Sequence, residues 1–309
     1  MRFLKATLLL FVMIFASCNK SNDDTTTTPA NAYADQAPID DAKILDFFNK
    51  YHMDVDPTTK DVSFTLIPTP NTANLQKIKD EYAGQIQTRV VKVGDVAHNA
   101  YFISLREGDI TKQPTPADSI FACYRGRLLD NTTFENRESS PTWFGNGTQG
   151  TTLRYLISGW REIFPYFGAS TSIDSNSDGS YTYNGYGAGV MFIPSALGYY
   201  NLSQSKIPAY SPLIFSFKLM AMNYVDEDGD RIDSKDEMNH DSATNTFTDR
   251  DTDGDGIYDA FDFDDDNDGV LTKFEIKNGS GGYYTFDMIP DCSGNSPSVT
   301  TKRHLIKCN

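Results

Sequence analysis

The sequence predicts an α+β fold in which an antiparallel sheet packs on one short helix. Three observations carry that prediction. Residues 119–128, 190–193 and 213–219 are short apolar and aromatic runs bounded by turn formers, the texture of half-buried or buried strands. Residues 156–167 hold a brief helical pattern centred on Trp160. Short strands mixed with one small helix, in a chain of 309 residues with 13% aromatics, give a sizeable core of that class.

The elements read in order as follows. Asp40 and Asp41 precede Ile44, Leu45, Phe47, Phe48 and Tyr51, so acids at the start and apolar residues three and four apart predict an amphipathic helix over about 40–52. Residues 62–67 alternate as a strand that Pro68 and Pro70 stop. Residues 75–82 predict a second short helix, 88–96 and 100–105 two strands, and 112–116 a Pro/Thr turn. After the strand at 119–128 comes the polar turn Asp130-Asn131. Residues 168–187 are a polar insertion of Gly, Ser, Thr, Asn, Asp and Tyr.

The N-terminus reads as an export signal. Arg2 and Lys5 precede an apolar run from Ala6 to Ala16, too short for the roughly 20 residues of a spanning helix. The run ends in Ala16-Ser17-Cys18, which resembles a bacterial lipobox. That resemblance implies cleavage before Cys18, acylation of Cys18 and stable anchoring in a lipid bilayer. Residues 19–29 are polar and read as a flexible tether, and their acidic pair Asp23-Asp24 is similar to surface-export signals of Bacteroidetes-type lipoproteins. Cys123 sits in a strand pattern and reads as core. Cys292 and Cys308 flank a Gly/Ser/Pro-rich tail, where a disulfide or two free thiols are both open readings.

Charge is concentrated in one place. Residues 226–275 hold nineteen Asp/Glu against four Lys/Arg, a balance of −15 that equals the net charge of the whole chain. The remainder is neutral. An acidic block on a neutral body excludes a nucleic-acid partner, which needs a basic surface, and suits hard divalent cations.

The order of residues in the middle of the chain is distinctive. Tyr124-x-Gly126, Thr133-Phe134, Gly159-Trp160, Ile193-Pro194, Gly198-Tyr199, Ile207-Pro208 and Leu213-Ile214-Phe215 resemble, in order and near spacing, the FKBP-type peptidyl-prolyl isomerase domain. The resemblance covers roughly 115–223. It implies an FKBP-like antiparallel sheet wrapped on a short helix; the helix/strand extension read from the pattern at 40–105 precedes it, and a calcium-loop segment read from the acidic spacing follows it. It also implies proline-containing peptides or proteins as substrates and no organic cofactor. Carried over onto this chain, Trp160 is the pocket floor, and Tyr124, Phe134 and Phe215 are aromatic walls. Leu156, Ile157 and Ile207 complete the lining, and Tyr199 offers its hydroxyl to a substrate carbonyl. Glu135 stands where the family usually has Asp. After Pro141 the family often has a further aromatic wall; here Thr142-Trp143-Phe144 follows, and Trp143 either substitutes or the wall is missing.

The chemistry asks for such a pocket. An X-Pro bond prefers trans by only about 0.5–1 kcal/mol, yet it isomerises over tens to hundreds of seconds. No covalent bond breaks, so no nucleophile is needed. A dry aromatic cup favours the twisted amide by gripping the ring and withdrawing the water that stabilises the planar form.

In the acidic block, Asp264-x-Asp266-x-Asp268-Gly269 with Glu275 fits the EF-hand loop at every ligand position, with the Val270 carbonyl and Thr272 at positions 7 and 9. Asp251, Asp253 and Asp255, with the Ile257 carbonyl, Asp259 and Asp262, repeat the scheme. Asp226, Asp228, Asp230 and Glu237 form a weaker copy in which Arg231 occupies the turn position that Gly holds in the others. The loops abut too closely for intervening helices, so the segment looks like a thrombospondin type 3-style string with structural calcium. The expected division is a lipoprotein signal at 1–17, a tether at 18–38, an accessory region at 39–112 and the isomerase domain at 113–224. Calcium repeats at 225–278 and a tail at 279–309 follow. The expected location is the bacterial cell envelope; oligomeric state is not legible. Two rivals stay beside the enzyme reading: a non-catalytic binder of proline or apolar segments, and a calcium-dependent surface binding protein.

Overall fold

The computed structural model describes residues 32–144, 156–295 and 299–308. The signal segment, Cys18 and the tether up to residue 31 lie outside the described residues. No helix among the described residues is long and apolar enough to cross a membrane.

The chain opens with α1 (Tyr33–Lys50), which runs directly into β1 (Tyr51–Val55); β1 pairs antiparallel with β2 (Val62–Leu66). The helix expected over 40–52 therefore starts earlier and ends before Tyr51, and the expected tether loses residues 33–38. Residues 33–39 lack a strong apolar stripe and include Pro38. Tertiary contacts hold them instead: the Tyr33 ring packs 4.5 Å from Tyr200 and edge-on to His98. A short α2 (Ile78–Glu81) leads to β3 (Ile86–Val93) and β4 (Val96–Arg106). The strand expected over 88–96 is split because Gly94, at φ 59°, makes a two-residue hairpin turn with Asp95.

Then come β5 (Ser119–Leu128), β6 (Thr133–Asn136), β7 (Thr142–Phe144) and α3 (Ser158–Ile163). The polar insertion contains an exposed hairpin of β8 (Ser172–Ser175) and β9 (Tyr181–Asn184). β10 (Gly187–Ile193) and β11 (Leu213–Asn223) complete the main sheet. Its seven strands run β3-β4-β10-β11-β5-β6, and β7 shares the outer edge of β5 with β6. Every pairing is antiparallel. The fold is thus α+β, an antiparallel sheet against a short helix, as the sequence predicts.

Strand alternation sends side chains to two separate cores. On one face Phe102, Ala122, Tyr124, Met191, Ile193, Phe215 and Phe217 meet Trp160, Ile163 and Phe164 of the helical segment. On the other, Tyr101, Ile103, Val190, Phe192 and Ile214 meet Ile44, Phe47 and Phe48 of α1 and Met53, Val62 and Phe64 of the β1–β2 hairpin. The region expected as an accessory, 39–112, is therefore integral: it supplies two strands of the sheet and the layer over its second face. Sequence texture could not show this, because α1 and β4 are ordinary amphipathic elements whose partner surface lies on β10 and β11.

One buried carboxylate ties the layers together. Asp40 of α1 accepts from the Ser195 backbone N–H at 2.7 Å, the Ser195 hydroxyl at 2.6 Å and Gln36 Nε2 at 2.7 Å. Ser195 begins the turn that carries Tyr199. Asp40→Ala strands these donors, so the urea midpoint is expected to fall by the equivalent of about 2–4 kcal/mol. An unchanged midpoint would show that the tie is idle.

The acidic segment folds onto the same body. β12 (Met238–Asp241) and β13 (Thr246–Asp249) form a hairpin, and a single turn, α4 (Thr272–Glu275), closes the last loop. Arg89 of β3 pairs with Glu162 at 2.8 Å and donates to the Thr244 carbonyl at 2.8 Å, docking the hairpin beside α3. The tail is not separate from the loops: Ile232, Ile276 and Ile289 share a small core. Cys292 and Cys308 form a disulfide, and Cys123 is buried and free.

Candidate functional site

Two constellations arise: an aromatic pocket on the sheet and a set of acid loops. Two glycines shape the pocket. A Cβ at Gly126 would collide with the Phe134 ring, and one at Gly159 would stand 2.5 Å from Ile193 Cδ1. Without side chains there, the Phe134 ring lies flat across β5 and α3 sits close on the sheet. Trp160 is consequently pressed into the core, 3% exposed, with Tyr124, Phe144 and Phe215 edge-on around its indole at 5.0, 5.2 and 5.3 Å between ring centroids. Phe134 stands T-shaped to Phe215 at 5.6 Å.

These rings bound a cavity of about 120 Å³ lined by Tyr124, Phe134, Glu135, Phe144, Leu156, Ile157, Trp160, Tyr199 and Phe215. That is well below the roughly 300–1,000 Å³ of drug-sized ligand sites and suits one small ring. The lining brings together every pocket residue expected from the sequence except Ile207, which is buried in the adjoining core. It adds Phe144. The register explains this: Phe144 lies opposite Ile120, whose side chain faces the core with Trp160, whereas Trp143 lies opposite Phe121 and packs on it in a tilted pair at 5.2 Å, away from the pocket. Strand parity was a usable signal, and Phe144, not Trp143, is the further aromatic wall.

Polarity is confined to the rim. Burial, then interaction with the Glu135 carboxylate, pushes the Tyr124 phenol well above its usual range. Burial works to raise the Glu135 carboxyl, but interaction with Tyr124 and with the Arg137 guanidinium, 2.9 Å away, prevails and holds it below the usual value. Burial, then the Glu135 charge, raises Tyr199, so both phenols are neutral donors at neutral pH. The indole Nε1–H of Trp160 has no acceptor among the described residues.

The three acid loops share one backbone design. In each, the first Asp accepts two loop N–H groups: Gly229 and Arg231 on Asp226, Gly254 and Gly256 on Asp251, Asp268 and Gly269 on Asp264. The sixth position is left-handed in all three, with Arg231 at φ 91°, Gly256 at 97° and Gly269 at 93°. Arg231 thus adopts the conformation that glycine supplies elsewhere. Asp226, Asp228 and Asp230 converge, as do Asp251, Asp253 and Asp255, and Asp264, Asp266 and Asp268, each set with carboxylate oxygens within 4.8 Å of one another.

Two residues expected as ligands have another use. Asp259 accepts from the Thr252 N–H at 2.7 Å and the Arg250 guanidinium at 2.5 Å. Thr272 is buried, and its hydroxyl accepts from the Asp265 N–H at 3.2 Å. Ser234 does the same for Glu227 in the first loop. The ninth position therefore fastens the loop to its own second residue, and Asp259 and Thr272 are corrected to that structural role. Asp262 and Glu275 remain near the acid sets: burial, then the charges of Asp255 and Asp253, raises Asp262, and burial and Asp266 push Glu275 up to about 8. Glu237 instead joins Asp230 and Asp265, a residue the sequence pattern did not single out.

Comparison with known proteins gives partial likenesses. A family model described as BamM C-terminal matches residues 225–299, the acid loops together with much of the tail. No curated protein matches the chain. Among solved structures, FkpA from Escherichia coli is similar over 47% of this chain and 55% of its own, at 20% identity and a TM-score of 0.33. A peptidyl-prolyl cis-trans isomerase from Pseudomonas syringae pv. tomato is similar over 47% of this chain and 90% of its own, at 22% identity and 0.32. The three FKBP domains of wheat FKBP73 give 44%, 51%, 16% and 0.32 in the same order. The chain spans about half the length of the first and third of these.

Proposed function

We propose that this chain is an FKBP-type peptidyl-prolyl cis-trans isomerase of the bacterial cell envelope, anchored in a lipid bilayer through acylated Cys18, with calcium as a structural ion in its acidic segment. The observation that carries the enzyme reading is the pocket: a small apolar hollow with the Trp160 indole as floor, rings on several sides, and polar groups only at the rim. A proline ring enters over Trp160 between Phe134, Phe144 and Phe215. The preceding amide then lies at the rim, where water is excluded and the planar, strongly hydrated form loses its advantage. Tyr199, which lines the pocket with Glu135, offers its hydroxyl to a substrate carbonyl. No organic cofactor is needed.

Calcium fits the donors present. The loops supply carboxylate oxygens and little else, the ligand type of a hard cation, and several of those oxygens are buried without a hydrogen-bond donor. Asp226, Asp228, Asp230, Asp251, Asp253, Asp255, Asp262, Asp264, Asp266, Asp268 and Glu275 would hold it, with the carbonyls of Ile257 and Val270. Calcium would offset part of the segment's negative charge and fix it against the body.

The test is a protease-coupled assay on short X-Pro peptides with the soluble chain starting after Cys18. Turnover above the spontaneous rate is the expected result. Binding of proline peptides without turnover would instead establish the rival reading of a non-catalytic binder, which the tightly engaged Glu135 favours.

A further inference from the structure

We propose that Asp265, the second residue of the last acid loop, is a metal ligand of the first loop, closing with Asp230 and Glu237 a buried site for a calcium-class cation. This rests on the reading of the acidic segment as calcium-binding, but it assigns a site that joins two stretches of chain.

The three carboxylates are 1%, 0% and 1% exposed for Asp230, Glu237 and Asp265, with oxygens within 4.8 Å of one another. Both oxygens of Glu237, both of Asp265 and Oδ2 of Asp230 are buried with no hydrogen-bond partner among the described residues. Buried carboxylates without donors are costly, and each such oxygen calls for an explanation. No backbone N–H and no side-chain hydroxyl or amide among the described residues donates to these five oxygens. Neighbouring cations do not supply one either. The charges of Arg250 and Lys273 reach the cluster, yet Arg250 donates to Asp259 and neither forms an ion pair with Asp230, Glu237 or Asp265.

A cation resolves the arrangement. Calcium takes 6–8 oxygens at about 2.3–2.6 Å, so ligand atoms on its shell lie no more than about 5 Å apart, the spacing seen here. Asp230 also belongs to the Asp226–Asp228–Asp230 set, so the buried site continues the first loop inward. The fold makes the reach possible: the Asp265 N–H is held by Thr272, which fixes the residue with its carboxylate turned to Glu237 rather than to its own loop. The ion is therefore a staple between the first and last loops.

Calcium titration by calorimetry on the full soluble chain tests this, comparing the natural sequence with Asp265→Asn, Asp228→Asn and Asp266→Asn. Far-UV circular dichroism in saturating calcium checks folding, and Asp265→Glu serves as a conservative rescue. The expected result is that Asp265→Asn removes or weakens one site at least tenfold, and Asp265→Glu restores part of it. Adding Asp228→Asn to Asp265→Asn should cost little more at that site, since both act on one ion, whereas adding Asp266→Asn should remove a second site independently. If Asp265→Asn binds calcium as the natural sequence does, or if its loss combines with Asp266→Asn rather than with Asp228→Asn, the staple is overturned while the calcium reading stands. If the natural chain binds no calcium, that reading fails as well.

Discussion

Trp160→Ala is expected to lower prolyl-isomerase turnover by about a hundredfold, equivalent to roughly 2.7 kcal/mol of lost transition-state binding. The indole touches Tyr124, Phe144, Phe164 and Phe215, so its removal takes away the floor and lets the walls slump into the gap. The same change costs the fold about 3–5 kcal/mol, as for other buried aromatics. A loss of activity alone would then be ambiguous. Tyr199→Phe separates the two effects, because it keeps the ring and removes only the hydroxyl. It should cost about tenfold in turnover with little change in the thermal midpoint. Phe144→Ala should be as harmful as Phe134→Ala, whereas Trp143→Ala should be nearly silent, since its ring packs against Phe121 outside the pocket. Full activity in Trp160→Ala would show that isomerisation does not take place in this pocket.

Removing calcium should loosen the segment after residue 225 and leave the sheet folded. The sign of its pH dependence follows from the buried acids. Burial and neighbouring acids push Asp265 up to about 9, Asp228 up to about 8 and Glu275 up to about 8, from ordinary values of 3.8, 3.8 and 4.5. Between those ordinary values and the raised ones, the ion-free fold binds more protons than the unfolded chain. Its stability is therefore greatest in acid and is lost as pH rises through about 8–9. With calcium the trend inverts. The ion displaces those protons, so binding at pH 7 should release them and tighten as pH rises. Calorimetry in two buffers of different ionisation heat measures the release directly. Limited proteolysis with and without chelator should show cleavage confined to 225–308. Calcium uptake without proton release, or a segment equally resistant in chelator, would contradict this account.

Much of the architecture could be read from the residues. The strands at 119–128, 190–193 and 213–219 are largely apolar on both alternations because both faces of the sheet are covered, and such runs stand out. The pocket was legible because its rings recur in a fixed order with Gly126 and Gly159 between them. What escaped depended on parity and on distant partners. Phe144 and Trp143 are adjacent aromatics, and only the register against Ile120 and Phe121 separates them. The acid loops were visible as spacing, but spacing counts every carboxylate as a ligand. Asp259 and Thr272 fit the pattern and serve as loop fasteners, whereas Asp265 lies between pattern positions and faces Glu237. Nothing local distinguishes these roles.

The double-sided cover of the sheet limits how this protein can be dissected. A fragment cut to 113–224, the stretch that resembles an isomerase domain, would lack β3 and β4 and bare Val190, Phe192 and Ile214 to water. Such a piece is no portable cassette: its hydrophobic underside would invite self-association. A unit that keeps both faces of the pocket-bearing sheet covered begins at α1, so this first helix belongs to the folded body rather than to a spacer.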